Sequence, residues 1–127
     1  MKNAVYYSLA AAYAEEKGAD RIIGGHNADD RRLFDDTSEE FFASLQRTIH
    51  ASSPRLRRRG LKILRPLKDK SKSEVVALAA GIGVPLELTW SCYRAGAEHC
   101  WRCDGCRSRI EAFQAAGVQD PLATRRP

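Results

Sequence analysis

The chain has 127 residues, 43% hydrophobic and 29% charged, with a net charge of +5 and a pI near 9.2. That length suits one small domain with an apolar core. The sequence has no run of about 18 apolar residues, which excludes a membrane-spanning helix, and Met1-Lys2-Asn3 leads into an amphipathic stretch instead of the apolar segment of a secretory signal.

In chain order, residues 4–17 have helical periodicity. Val5, Leu9, Ala12 and Tyr13 form the stripe expected to face the core, widened by Tyr6, Ala10 and Ala14. Asn3 is the expected N-cap, and Gly18 ends the helix. Residues 21–25 (RIIGG) read as a short buried strand, and residues 26–36 as a polar loop. A second helix runs from Ser38 to about Ala51, with Glu39 and Glu40 in its first turn and Phe41, Phe42, Leu45 and Ile49 on its apolar face. Residues 52–60 read as a basic loop, and residues 61–67 (LKILRPL) as a second strand. Ser71 and Glu74 have capping-box spacing for a helix through Ala80, closed by Gly81 and Gly83. The last helix is expected over Cys106–Ala116, with Ile110 and Phe113 inward and a frayed, flexible tail over 118–127. Helix and strand alternate, which is an α/β pattern with a parallel sheet. Two strands make a poor sheet alone, because parallel sheets are normally larger and buried on both faces. Further strands are expected from another part of a longer protein or from a partner chain.

The excess positive charge is local: Arg55, Arg57, Arg58, Arg59, Lys62 and Arg65 form one cluster and Lys68, Lys70 and Lys72 another. Such clusters can meet phosphates. The first reads as a solvated loop flank, and direct binding of nucleic acid is not expected.

The strongest chemical signal is four cysteines, Cys92, Cys100, Cys103 and Cys106, inside 15 residues and with none elsewhere. Four thiolates can close a tetrahedral shell around Zn²⁺, and Cys-x-x-Cys supplies two ligands from one tight turn. Disulfides are disfavoured in the reducing, cytoplasmic setting expected here, and a Cys₄ iron–sulfur cluster remains open as an alternative. A shell of four thiolates leaves no position for a reacting water, so the metal is expected to be structural. Lys72, just inside a helix start, reads either as a phosphate-binding residue or as a solvated first-turn lysine. His26, Asn27 and Asp30 follow the first strand at its carboxyl edge, where ligands bind in open α/β sheets. Asn27 can pair with a purine-like ring, and Asp30 with Mg²⁺ or a ring N–H. Trp90 is expected to pack the metal lobe against the α/β core. Arg102, Arg107 and Arg109 are expected as solvated flanks of the metal site, and His99 is given no ligand role.

The stretch Leu86-Glu87-Leu88-Thr89-Trp90-Ser91-Cys92-Tyr93, followed by Cys100, Cys103 and Cys106, resembles the C-terminal signature of the 7-cyano-7-deazaguanine synthase (QueC) family. Asn3-Ala4-Val5-Tyr6-Tyr7-Ser8-Leu9-Ala10 resembles the family's entry into a helix, and Gly25-His26-Asn27-Ala28-Asp29-Asp30 its post-strand loop. Pro66-Leu67 with Lys72, Glu74 and Val75 resembles a motif shared by PP-loop ATP pyrophosphatases. The resemblance implies a partial parallel sheet of PP-loop type over residues 1–88, a zinc-binding lobe with the terminal helix over 89–117, and a flexible tail over 118–127. It also implies an ATP- and Mg²⁺-dependent conversion of 7-carboxy-7-deazaguanine with ammonia to the nitrile, in queuosine or archaeosine biosynthesis, with release of AMP and pyrophosphate. Lys72, Asn27 and His26 would then bind the nucleotide, Asp30 and Asp36 the deazapurine, and the four cysteines zinc. The family's Ser-Gly-Gly-x-Asp-Ser loop is not in this sequence, and the loop after Asn27 departs from the family pattern. The chain is therefore expected to act as a fragment or split half of the enzyme, inactive alone, with a PP-loop-bearing partner or in a homodimer. Two other readings stand beside this one: a tRNA-thiolating PP-loop enzyme, and a non-catalytic, zinc-stabilised binding module.

Overall fold

The computed structural model describes residues 1–123; residues 124–127 lie outside that range. The chain divides into two compact units, the first ending at Asp69 and the second beginning at Lys70. This boundary lies well before the one expected after Leu88. The helix α5 (Lys72–Gly81), assigned by pattern to the α/β portion, packs on α6 (Asp104–Ala116) through Val76, Ala112 and Phe113.

In the first unit, α1 (Lys2–Lys17) buries Tyr7, Ala11 and Ala14. They pack with Phe42, Leu45 and Ile49 of α3 (Glu39–Ser52) and with Leu56 and Leu61. The expected stripe is the wrong one: Val5, Leu9 and Tyr13 are 54%, 65% and 62% exposed. The helix is apolar on two sides. The side with small alanines can approach α3 closely, while Tyr7 meets the Phe42 ring edge-on at 5.1 Å. Ser38 caps α3 by accepting the Phe41 N–H.

Strands β1 (Arg21–Ile23) and β2 (Lys62–Leu64) are parallel, with Arg21 opposite Lys62 and Ile23 opposite Leu64. Both are shorter than the sequence suggested, although the Gly24 N–H still donates to the Leu64 carbonyl at 2.9 Å. Glycine at position 24 makes room for the Tyr7 hydroxyl, which a Cβ there would overlap. Residues 26–36 are more ordered than a plain loop: a short helix α2 (Asp30–Leu33) is followed by a 3₁₀ turn over Asp35–Thr37. Residues 54–59 are also not a loop. They form α4 (Pro54–Arg59), with Ser53 accepting the Leu56 N–H at its start, proline in its first turn, left-handed Gly60 at its end and fully packed Leu56 anchoring it.

In the second unit, the capping box at α5 is as the sequence suggested. The Ser71 hydroxyl accepts the Glu74 N–H, and the Glu74 carboxylate accepts the Ser71 N–H at 2.7 Å. A 3₁₀ turn follows over Leu86–Leu88, then the cysteine segment, then α6, which begins two residues before Cys106. The segment after α6 is not frayed as far as it is described. Val118 packs against the Val76–Phe113 core, and Asp120 is 5% exposed. Asp120 is held by a bidentate pair with Arg109, Nε to Oδ2 at 2.7 Å and Nη2 to Oδ1 at 2.8 Å. The rest of the tail, 124–127, lies outside the described residues.

Candidate metal centre and ligand pocket

Two regions carry chemistry, one in each unit. In the second unit the sulfurs of Cys92, Cys100, Cys103 and Cys106 all lie within 4.8 Å of one another. Cys100 and Cys106 are 4.0 Å apart, and Cys103 and Cys92 3.9 Å. A tetrahedron with metal–sulfur bonds of about 2.3 Å has edges of roughly 3.8 Å, so the four donors fit a tetrahedral ion such as Zn²⁺ with little adjustment.

The local sequence explains the convergence. Cys103 caps α6 and Cys106 sits in its first turn, where the helix dipole favours thiolate. The Cys92 segment is drawn in because Gly105 has no side chain: a Cβ there would overlap the Ser91 carbonyl. Between Cys100 and Cys103 the backbone turns through Trp101 in the left-handed region, φ 56°, with its ring stacked 5.2 Å from His99. Backbone amides aim at the sulfurs. Tyr93 N–H donates to Cys103 at 3.5 Å, Arg94 N–H to Cys92 at 3.4 Å and Cys100 N–H to Cys92 at 3.5 Å. The Tyr93 amide leads in bringing the Cys103 thiol down to about 6, while burial pushes Cys106 up to about 12. A cation among the sulfurs would deprotonate them all.

The buried His99 is a scaffold residue. Its Nε2 accepts the Ser91 N–H at 3.0 Å, and its ring lies 4.3 Å from that of Trp90. Burial, with Arg109 adding to it, lowers its pKa, so it stays neutral. Trp90 is 49% exposed, and its indole N–H donates to the Cys92 carbonyl at 2.8 Å.

Arg109 was the residue that sequence reasoning misplaced most. It is 2% exposed and reaches Thr89 Oγ1 (2.7 Å) and the Leu86 carbonyl (3.3 Å) as well as Asp120, so one guanidinium ties together α6, the entry to the cysteine segment and the segment after α6. Its only advance signal was an arginine at the i+3 and i−4 positions of a helix face carrying Cys106 and Phe113. Arg102 and Arg107 are exposed, as expected.

In the first unit, a pocket of about 300 Å³ opens at the carboxyl end of β1, lined by residues that include Asn3, Tyr6, His26, Asp30 and Asp36. Asn27 is not among its lining residues. Its side-chain oxygen accepts the N–H groups of Asp29 and Asp30, and the Asp30 carboxylate accepts the Asn27 N–H at 2.9 Å, a reciprocal turn that fixes the loop. His26 Nδ1 is 3.9 Å from Asp30 Oδ2. Asp36 holds the start of α1, accepting the Asn3 N–H at 3.0 Å. The Met1 ammonium first, then that amide, keeps its carboxyl below the usual range. Lys72 belongs to the second unit, where its Nζ donates to Ser108 Oγ at 2.8 Å. The predicted residues His26, Asp30 and Asp36 therefore share one pocket, while Lys72 stands in the other unit.

The chain combines an α/β unit that has a pocket at the carboxyl end of its first strand with a unit organised on four converging cysteine sulfurs. The family described as Queuosine biosynthesis protein QueC matches residues 1–117, and the chain belongs to that family. Proteins named 7-cyano-7-deazaguanine synthase are similar to it. That of Thermoplasma acidophilum is 36% identical over 95% of this chain and 51% of its own length. That of a Sulfurovum species is 38% identical over 98% and 55%, and that of Methanothrix thermoacetophila 41% identical over 94% and 53%. The chain spans about half the length of these curated relatives. No helix among the described residues is long and apolar enough to cross a membrane.

Proposed function

We propose that this chain contributes the metal-bearing portion of a 7-cyano-7-deazaguanine synthase, which converts 7-carboxy-7-deazaguanine, ATP and ammonia to the nitrile. The observation that carries this reading is the similarity to synthases at 36–41% identity over 94–98% of the chain, together with four sulfurs spaced for one ion. In the proposed chemistry the substrate carboxylate is adenylated with release of pyrophosphate. Ammonia displaces AMP to give the amide, and a second adenylation activates the amide oxygen so that loss of AMP leaves the nitrile. The metal is Zn²⁺ in a structural role, since four sulfurs leave no open position.

Within this reading the first-unit pocket takes the deazapurine. Asp30 and Asp36 offer acceptors to ring N–H groups, His26 faces the same space, and Asn27 sets the loop that holds His26 and Asp30 in place. Lys72 supports nucleotide phosphate from the start of α5 and exchanges its bond to Ser108 for a phosphate oxygen. Mg²⁺ would screen the phosphates. A thiolating enzyme needs a free reactive cysteine, and all four cysteines lie in one cluster spaced to hold an ion. The test is ATP-to-AMP turnover with 7-carboxy-7-deazaguanine and ammonia. No turnover is expected from the chain alone, and turnover should appear when a chain bearing a Ser-Gly-Gly-x-Asp-Ser loop is added. Absence of turnover in the mixture, with zinc bound, overturns the catalytic reading in favour of a binding module.

A further inference from the structure

We propose that the second unit carries a binding site for a guanidinium group, in a small pocket beside the cysteine cluster that is walled by Trp90, His99 and Trp101 and edged by Glu87 and Glu98. The pocket shares no residue with the one in the first unit, and its ligand does not depend on the catalytic reading.

The cysteine segment builds the pocket. Residues 87–90 lead into Cys92 and residues 97–101 lead through Cys100, so the convergence of the sulfurs draws the two stretches together around a cavity of about 190 Å³. Three aromatic rings in mutual contact line it. The His99 ring lies 4.3 Å from that of Trp90 and 5.2 Å from that of Trp101. His99 is fixed by the Ser91 N–H on its Nε2, and Trp90 by its bond to the Cys92 carbonyl. Trp101 is held at φ 56°, in the left-handed region that glycine fills most easily. Bulky residues kept in such a conformation cluster at functional positions.

Charge selects the ligand. Glu87 and Glu98 both line the pocket, and among the described residues neither carboxylate has a hydrogen-bond or ion-pair partner. No lysine or arginine is among the lining residues. The Thr89 hydroxyl is already engaged, donating to the Leu86 carbonyl at 2.6 Å and accepting from Arg109 at 2.7 Å. Two acidic acceptors beside indole faces attract a cation, and tryptophan is the strongest of the aromatic partners.

The molecule shows twice which cation suits this combination. The Arg65 guanidinium lies 4.2 Å over the Phe42 ring while pairing with Glu39, and that of Arg109 lies 4.6 Å over Phe113 while pairing with Asp120. Each is a flat cation with its face on a ring and its edge on a carboxylate. The pocket supplies the rings and the carboxylates of that arrangement, and the guanidinium has to come from outside its walls. An ammonium is more strongly hydrated and has no planar edge to offer. The volume is below the roughly 300–1,000 Å³ of pockets that take whole small molecules, and it suits one head group of side-chain size.

The test titrates the Zn²⁺-loaded 127-residue chain and follows the indole N–H resonances of Trp90 and Trp101. Arg125→Gln and Arg126→Gln are included so that the chain's own terminal arginines cannot compete. The probes are guanidinium ion, its neutral counterpart urea, methylammonium, and arginine placed within a short glycine peptide. Guanidinium or the arginine peptide should shift both resonances saturably, with urea and methylammonium about 10-fold weaker. Glu87→Gln and Glu98→Gln should each weaken binding about 3-fold, and together about 10-fold. Trp101→Gly suits the left-handed backbone, so metal content and fold should hold while binding falls about 10-fold. Binding of free guanidinium identifies a small cation as sufficient, and binding of the peptide alone identifies an arginine on a polypeptide; both uphold the assignment. Urea or methylammonium binding as tightly as guanidinium overturns it. So does the absence of saturation with either guanidinium probe, or an affinity indifferent to Glu87, Glu98 and Trp101. Turnover is read separately, so failure here leaves the synthase reading intact, and failure of that reading leaves this site standing.

Discussion

The two units stay folded by different means. The first buries eight residues in one cluster drawn from α1, α3, Leu56 and Leu61, a hydrophobic core of the usual kind. Among the described residues the second buries Val76, Ala112 and Phe113 in its apolar cluster, with the partly buried Leu86, Ala116 and Val118 packed against them. Burial contributes about 1.5–3 kcal/mol for each of Val76 and Phe113 and less for the single methyl of Ala112, a small gain against the entropy of ordering the unit. The second unit therefore depends on a four-sulfur site and on the buried Arg109–Asp120 pair, both of which need correct partners and not merely exclusion of water. The lesson is that the two halves of this chain should fail under different insults.

Metal removal should separate them most sharply. Structural zinc contributes about 10–16 kcal/mol in small zinc-organised peptides. Chelation or Cys103→Ser should therefore unfold the second unit and leave the α1–α3 core intact, as read by amide exchange on each unit with zinc measured alongside. Unchanged metal content and melting in the serine variant would refute the site. Next in size is Arg109→Ala, which removes the counter-ion of the buried Asp120 carboxylate and should cost about 3–5 kcal/mol in denaturant unfolding of the second unit. Arg109→Met with Asp120→Leu should recover much of that loss, because no charge is left buried without a partner. If the double variant is as unstable as the single, the pair is not the cause. In the first unit, Gly24→Ala drives a methyl into the Tyr7 hydroxyl and should cost about 1–3 kcal/mol, with Tyr7→Phe in the same chain relieving most of it. That rescue would show that the hydroxyl contact, and not strand propensity, requires glycine there.

What the sequence disclosed divides along the same line. The cluster of four sulfurs was legible because four cysteines at fixed spacing have few other uses, and the capping box at Ser71 because its chemistry is local. The stripe on α1 was misread because periodicity finds an apolar face but cannot say whether α3 or a further segment covers it. The basic run at 54–59 looked like a loop because its one anchor, Leu56, is a single apolar residue among arginines. Arg109 was taken for a solvated side chain because its partner, Asp120, lies beyond the helix in a segment with no pattern of its own. His26 and Asp30, read from their place after a strand, line the first-unit pocket, whereas the capping of α1 by Asp36 depends on a contact 33 residues away in sequence.

The smallest predicted effect concerns the start of α5, where the second unit leans on ordinary helix capping. Ser71→Ala removes the acceptor for the Glu74 N–H and should cost about 1 kcal/mol. The reciprocal half of the box responds to pH. The Ser71 amide, followed by its hydroxyl, holds the Glu74 carboxyl below its ordinary value of 4.5. A group with a lowered folded-state pKa binds its proton more readily when unfolded, so its contribution is fully present above that ordinary value and is lost as pH falls through the lowered one. Amide protection in the first turn of α5 should therefore weaken on acidification below the ordinary glutamate range, and Glu74→Gln should flatten that dependence. A first turn equally protected on both sides of the window would mean that the serine alone caps the helix. The second unit would then depend still more heavily on its sulfurs and its buried ion pair.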